Sequence, residues 1–335
     1  MSLEEQGLVM DVISSPEQLG RLLDQVFAVP AGMHFLEDFP VWDGRVGPGP
    51  EQVLRAGAFK GEQLVSSACV RLARLKTAAG NSLAVGIVGG VATDPQFRGR
   101  GLASDVVSLG VRWAEERGAA LMLLWGSEHS LYRKQGFEPC GSQVRLPLSS
   151  FNFDSAAEQV QEGWRPSLFP QIKSREGGLL LEDRDQSWYS AHRNVRWFWI
   201  GDPQRPAAYA ALGRGIDLSG MVHEWGGDRL GLMKIFGHIK GLEPQATLLG
   251  GPSVLKKYGF VYDESPSECL CLAKVSKPEV VFEAFVPGER LDQYLEPQWL
   301  ATLSPPELSR LFFGPLETPI LPFPLPLWVW GLDAA

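Results

Sequence analysis

Between two apolar stretches of different period stands the turn Arg98-Gly99-Arg100-Gly101. Leu83 to Val91 is a Val/Ile/Gly-containing run of strand type, and Asp94-Pro95 ends it, because proline cannot donate to a β ladder. From Leu102 the apolar residues Leu102, Val106, Leu109 and Trp113 recur near helical spacing, with Ser104, Asp105, Arg112, Glu115 and Glu116 largely elsewhere on the wheel. A strand therefore delivers a glycine-rich turn to the start of a helix. Glycines let the backbone approach a ligand closely, arginines add positive charge, and the free N–H groups of the first helical turn point back into the loop. Such a turn is an anion site suited to a pyrophosphate.

The same logic continues downstream. Gly118 closes the helix, and Ala119 to Trp125 reads as the next buried strand. Gly126-Ser127-Glu128 then turns into a short helical stretch ending at Gly136-Phe137, which sets Tyr132 where it can face the same ligand.

Val91-x-x-Asp94-Pro95-x-x-Arg98-Gly99-x-Gly101-x-Ala103 resembles the acetyl-coenzyme A signature of the GCN5-related N-acetyltransferases (GNAT superfamily), and Tyr132-x-x-x-Gly136-Phe137 resembles their second signature at the right distance. Trp125-Gly126-Ser127-Glu128 ahead of Leu131-Tyr132-Arg133 is loosely similar to the enhanced intracellular survival branch, whose members carry an acetyltransferase domain, a degenerate central one and a sterol-carrier-like third. The resemblance is specific over about residues 83 to 140 and loose elsewhere.

It implies acetyl-CoA as cosubstrate. Val91, Ala92 and Thr93 would bond its pantetheine arm and thioester. Arg98, Gly99, Arg100, Gly101, Leu102, Ala103 and Ser104 would hold its pyrophosphate, Ser127 and Glu128 would border the groove, and Tyr132 would be the catalytic acid. It also implies that the region between the first two strands lines the acceptor side. There Glu37, Asp38, Asp43 and Trp42 would suit a cationic amine by charge and cation–π contact, or form an ordinary exposed loop. Glu128, His129, Glu37 and Asp38 are candidate bases, and His34 is an outside one.

With 335 residues and 44% apolar composition, the chain can bury more than one core. A net charge of -8 without a long basic run argues against a nucleic-acid partner. Four cysteines, Cys69, Cys140, Cys269 and Cys271, form no dense framework and fit a reduced, cytoplasmic setting. Met1 to Gln6 lacks a signal-type apolar core, and the late apolar run Ile320 to Leu332 is broken by Pro322, Pro324 and Pro326, so no membrane span is expected.

Elsewhere the chain predicts strands at Leu8–Ile13, Val53–Phe59 and Leu64–Leu75, the last two turning at Lys60-Gly61, and a helix starting at Ser15-Pro16-Glu17. Val144 to Leu148 would be the last strand of the first domain. The pattern then returns, with strands at Pro206–Leu212, Leu218–Trp225 and Ala246–Leu249, a helix at Asp228–Ile239, and Ser253 to Phe260 echoing Ser130 to Phe137. In this second copy Leu255 stands where Tyr132 does, and Gly226-Gly227-Asp228 lacks the arginine–glycine turn. His223-Glu224 on adjacent strand positions point to opposite faces and close no metal site by themselves.

The expectation is an α/β (α+β) chain with two GNAT-type mixed-sheet domains in tandem, the second degenerate. Its parts would be a catalytic domain at 1–150, a connector at 151–170, the degenerate domain at 171–275 and a short α-rich, proline-rich tail at 276–335. That tail is too short for a sterol-carrier-like domain, so the branch's use of its C-terminal carboxylate as base does not carry over simply to Ala335. The expected activity is transfer of an acetyl group from acetyl-CoA to a primary amine on a small molecule or peptide, without metal. The alternative is a non-catalytic acyl-CoA-binding sensor or interaction protein.

Overall fold

The computed structural model describes residues 7–153, 160–215, 217–262, 268–316 and 321–334; the readings made for Met1–Gln6, Ile320 and Ala335 lie outside these. The chain forms two compact units, one of Met1–Gly141, Cys269–Leu327 and Ala334–Ala335, the other of Ser142–Glu268 and Trp328–Asp333.

The first unit begins with β1 (Leu8–Val12), α1 (Pro16–Val26), α2 (Phe35–Asp38), β2 (Val53–Lys60), β3 (Gln63–Lys76), β4 (Ser82–Thr93), α3 (Leu102–Glu116), β5 (Leu121–Leu124), α4 (His129–Arg133) and β6 (Glu138–Cys140). Local chemistry explains the boundaries. The Ser15 hydroxyl accepts the Gln18 N–H at 3.2 Å, Pro16 supplies the first helical turn, and Leu19, Leu22 and Leu23 form the buried stripe of α1. The hairpin between β2 and β3 closes at Gly61, whose φ of 59° falls in the left-handed region. Leu102, Val106, Val107, Val111 and Ala114 of α3 pack onto Val70, Val88 and Met122 of the sheet. The helix can sit this close because Gly110 has no side chain: a Cβ there would lie 2.4 Å from Cγ2 of Val70.

The second unit contains β7 (Val144–Pro147), β8 (Gln161–Glu162), α5 (Phe169–Ser174), α6 (Gln186–Ser190), β9 (Arg196–Asp202), β10 (Arg205–Leu212), β11 (Met221–Gly227), α7 (Arg229–Leu242), β12 (Thr247–Gly250) and α8 (Pro252–Lys257). The chain then returns to the first unit with β13 (Cys271–Val275), α9 (Pro278–Phe285), α10 (Pro297–Leu300) and α11 (Pro305–Phe313). Ser304 and Glu307 form the capping box that opens α11.

One sheet has the order β1-β2-β3-β4-β5-β13-β6 and the other β7-β12-β11-β10-β9-β8. Both are mixed: β4 runs parallel to β5 and β11 parallel to β12, and the remaining pairs are antiparallel. Two strands lie outside the expected segments. Val144–Pro147 pairs with β12 in the second sheet instead of ending the first, and Cys271–Val275 lies between β5 and β6 instead of in the second. Burial gives the reason. The place between β5 and β6 is covered on both faces and takes the almost continuously buried run Cys271-Leu272-Ala273-Lys274-Val275, whereas Val144-Arg145-Leu146-Pro147 alternates buried and exposed and ends in proline, which suits the edge it occupies. The division at residues 150 and 275 is therefore replaced by breaks near 141, 268 and 327, and residues 278–313, read as a tail, carry helices of the first unit.

Candidate active site

The site is built where β4 and β5 part. Their parallel pairing runs from Val85–Leu121 to Val88–Leu124 and stops, because β5 ends there while β4 continues to Thr93. Gly89 to Thr93 remain tied to β3 on one side and, among the described residues, have no strand beside them on the other. The ladder to β3 is itself bulged between Ser67 and Cys69, with Gly90 at φ 57°. Two buried serines satisfy the bulge: Ser67 Oγ donates to the Gly90 carbonyl at 2.8 Å, and Ser66 Oγ lies 3.0 Å from the Ala92 carbonyl and 2.8 Å from Thr93 Oγ1. Sequence reasoning missed this pair, although two serines inside an apolar strand are a visible signal, since each must find a buried partner.

Beyond the fork, Asp94 accepts the Gln96 N–H at 2.9 Å and Pro95–Phe97 forms one 3-10 turn. Arg98 Nε donates to the Thr93 carbonyl at 3.3 Å, and the Arg100 guanidinium stands 5.1 Å from the Phe97 ring. Gly99 and Gly101 have φ of 75° and 83°, and a Cβ on either would meet nothing within 4 Å, so the turn is open as well as left-handed. Gly101 caps α3 without any side-chain bond. The N–H groups at Leu102, Ala103 and Ser104 thus form an uncapped helix N-terminus beside Arg98 and Arg100, which fits a diphosphate.

Tyr132 enters from α4. Gly136, at φ 92°, lets the Phe137 N–H return to the Tyr132 carbonyl at 3.1 Å, and the Phe137 ring packs edge-on to the phenol at 6.3 Å. The phenol lies across Gly126, just past β5: a Cβ on Gly126 would sit 3.0 Å from Tyr132 Cε2 and 3.4 Å from its hydroxyl. Burial, and secondarily the charge of Glu128, push the Tyr132 hydroxyl up to about 12, so it is neutral across the physiological range. Ser127 and Glu128 are exposed at the mouth of this turn. Gln135, which the sequence reading did not single out, braces the arrangement. Its amide donates to the Ser104 carbonyl at 3.1 Å and contacts the Ser104 hydroxyl, while Ser108 Oγ donates to its carbonyl at 2.7 Å.

The acceptor-side residues are placed differently from expectation. Trp42 is fully buried, so its indole offers no open face for cation–π contact, and Arg55 donates to its carbonyl at 2.7 Å. Asp38 is buried and Glu37 half-buried on α2, while Asp43 is paired with Arg45 at 2.7 Å. His34 Nδ1 is 2.9 Å from Asp24. His129 is exposed beside Glu128. Among the described residues no group of three or more His, Cys, Asp or Glu side chains could hold a metal, and no helix is long and apolar enough to cross a membrane.

The second unit repeats the framework without the chemistry. Asp228 caps α7 by accepting the Gly231 N–H at 2.8 Å, so a carboxylate stands where an anion would have to bind. Leu255, the counterpart of Tyr132, is buried against Gly250.

The comparisons with known proteins identify an acetyltransferase domain in the first part of the chain. Residues 16–140 match the family model of an acetyltransferase (GNAT) domain, so this part of the chain carries a GNAT-type domain. Among solved structures it is similar to a GCN5-related N-acetyltransferase from Anabaena variabilis (17% identity over 83% of this chain and 75% of that one, TM-score 0.56). It is also similar to Eis1 from Mycobacterium abscessus (15% identity, 83% and 76%, TM-score 0.54) and to a probable N-acyltransferase from Enterococcus faecalis (12% identity, 83% and 74%, TM-score 0.57). At these identities the likeness concerns the fold. No curated protein matches the chain.

Proposed function

We propose that the first unit transfers an acetyl group from acetyl-CoA to a primary amine by direct attack in a ternary complex. The observation that carries this reading is the coincidence of three features at one end of β4: an unpaired strand edge, an uncapped helix N-terminus flanked by arginines, and a neutral buried phenol. When bound, acetyl-CoA supplies a thioester open to nucleophilic attack. The β5-facing edge of Gly89 to Thr93 offers main-chain donors and acceptors to an extended pantetheine arm. Gly99 to Ser104 receive the pyrophosphate, and Arg98 and Arg100 balance its charge. Tyr132 holds a proton at its hydroxyl and donates it toward the departing sulfur as the nitrogen–carbon bond forms.

The attacking amine must be neutral. An amine of pKa about 10 is neutral in roughly one molecule per thousand near pH 7, a penalty of about 4 kcal/mol that a base or a water chain must offset. Glu128 and His129, both exposed and just ahead of Tyr132 in the chain, are the candidates for that base. Measuring CoA uptake by calorimetry beside thiol release over a panel of amines tests the reading. Uptake with acceptor-dependent release is expected, and uptake without release for any acceptor would favour the acyl-CoA sensor instead.

A further inference from the structure

The second unit has a strand fork of its own, and it is filled. Pairing of β11 with β12 covers Met221–Thr247 and Val222–Leu248 and goes no further, while β11 continues to Gly227. Its ladder to β10 shifts register between Ala211 and Leu212, opposite His223, as the ladder of β4 shifts near Gly90. Trp328–Asp333 meets both arms of this fork. The Gly331 N–H donates to the His223 carbonyl at 3.2 Å, and the fit is close enough that a Cβ on Gly331 would lie 2.7 Å from the His223 side chain. At the end of β12, a Cβ on Gly251 would lie 2.7 Å from the Trp328 ring. Between them Trp330 stacks edge-on against the fully buried Trp225 at 5.4 Å and donates from Nε1 to the Glu176 carbonyl at 2.9 Å, and Trp225 Nε1 itself donates to Leu249 of β12.

The segment ends in a buried anchor. Asp333 accepts the Tyr189 hydroxyl and the Leu179 N–H, each at 2.7 Å, and pairs with Arg175, which also reaches Glu224 of β11 at 2.8 Å. One guanidinium facing two carboxyls is charge-balanced when one of them keeps its proton, and burial with the neighbouring Asp333 charge raises Glu224 in that direction.

We propose that Trp328–Asp333 is a built-in occupant of the second unit's strand fork, held by the Arg175–Asp333–Tyr189 anchor, so that this unit takes no coenzyme and instead holds this segment of the chain in place. The inference stands on the second unit alone and does not depend on the activity proposed for the first.

The test combines hydrogen exchange with coenzyme titration on the full chain. In the wild type, peptides covering 222–227 and 328–333 should be protected together. Asp333→Ala should accelerate exchange in both at least tenfold and leave 83–116 unchanged. Asp333→Asn, whose single amide oxygen can accept from one of Tyr189 and Leu179 but not both, should give a smaller joint effect and decides the matter if the alanine variant does not fold. CoA should bind at no more than one equivalent per chain. Free exchange of 328–333 in the wild type beside a protected 222–227, unlinked responses in both variants, or two equivalents of CoA would overturn the proposal. Uptake of no CoA would count against the function proposed for the first unit, and the exchange data would still decide the occupant.

Discussion

Replacing Tyr132 by phenylalanine removes one hydroxyl and leaves the packing against Phe137 and Gly126 in place. That hydroxyl makes no hydrogen bond among the described residues, so the thermal midpoint should hardly move. The expected kinetic loss follows from the environment of the group. A phenol near 12 is a weaker acid than a thiol near 8.5, so complete proton transfer to the thiolate would be uphill by roughly 5 kcal/mol until the sulfur is itself desolvated. What the phenol supplies early is a hydrogen bond to developing negative charge, worth about 1.5–3 kcal/mol, or about a 10- to 150-fold change in rate. Tyr132→Phe should therefore lower kcat by that factor, measured as thiol release at saturating acceptor, with the Kd for CoA changed less than about twofold. The pH profile should keep its shape up to about pH 10, because the group stays protonated throughout. Equal turnover in the two proteins, or an alkaline limb below pH 10 that disappears in the variant, would refute this reasoning.

Removing both Arg98 and Arg100 as alanines takes two exposed charges from a helix N-terminus, each worth about 0.3–1 kcal/mol, so CoA affinity should fall about 3- to 30-fold and lose part of its salt dependence in calorimetric titrations. Gly110→Ala drives a methyl into Val70 and should destabilise the first unit by about 1–3 kcal/mol in denaturant unfolding, less whatever alanine returns in helix propensity. Glu224 has a folded-state pKa raised to about 8 against an ordinary 4.5, chiefly by burial and then by Asp333, with Arg175 opposing. The folded form thus holds a proton that the unfolded chain releases, and stability should fall as pH rises from about 4.5 to about 8; Glu224→Gln should abolish that slope in unfolding measured across the range.

The nucleotide-facing part of the site was legible because its rules are local. The spacing of Leu102, Val106 and Trp113, the breaker at Pro95 and the glycines at 99 and 101 each act within a few residues, and the helix, the turn and their left-handed angles follow from them. The helix start at Ser15 was readable for the same reason. What escaped was decided at long range. Arg196–Asp202 shows no period of two because Trp197, Phe198, Trp199 and Ile200 are all buried, so it reads as an aromatic cluster and not as a strand. Val144–Pro147 and Cys271–Val275 each look like the strand that should follow their own sequence neighbour, and only the two-sided burial beside β5 separates them. Trp42 looked like a recognition surface because aromatic and acidic neighbours suggest one; its burial depends on packing that no local pattern encodes.

The proposition beneath all of this is that the main chain from Gly89 to Ser104 is where the coenzyme is held. Amide hydrogen exchange over residues 83–116, measured with and without saturating CoA, tests it most directly. The account predicts new protection concentrated at 89–93 and 99–105. Saturated binding with no change in either stretch, or protection confined to the second unit, would contradict it.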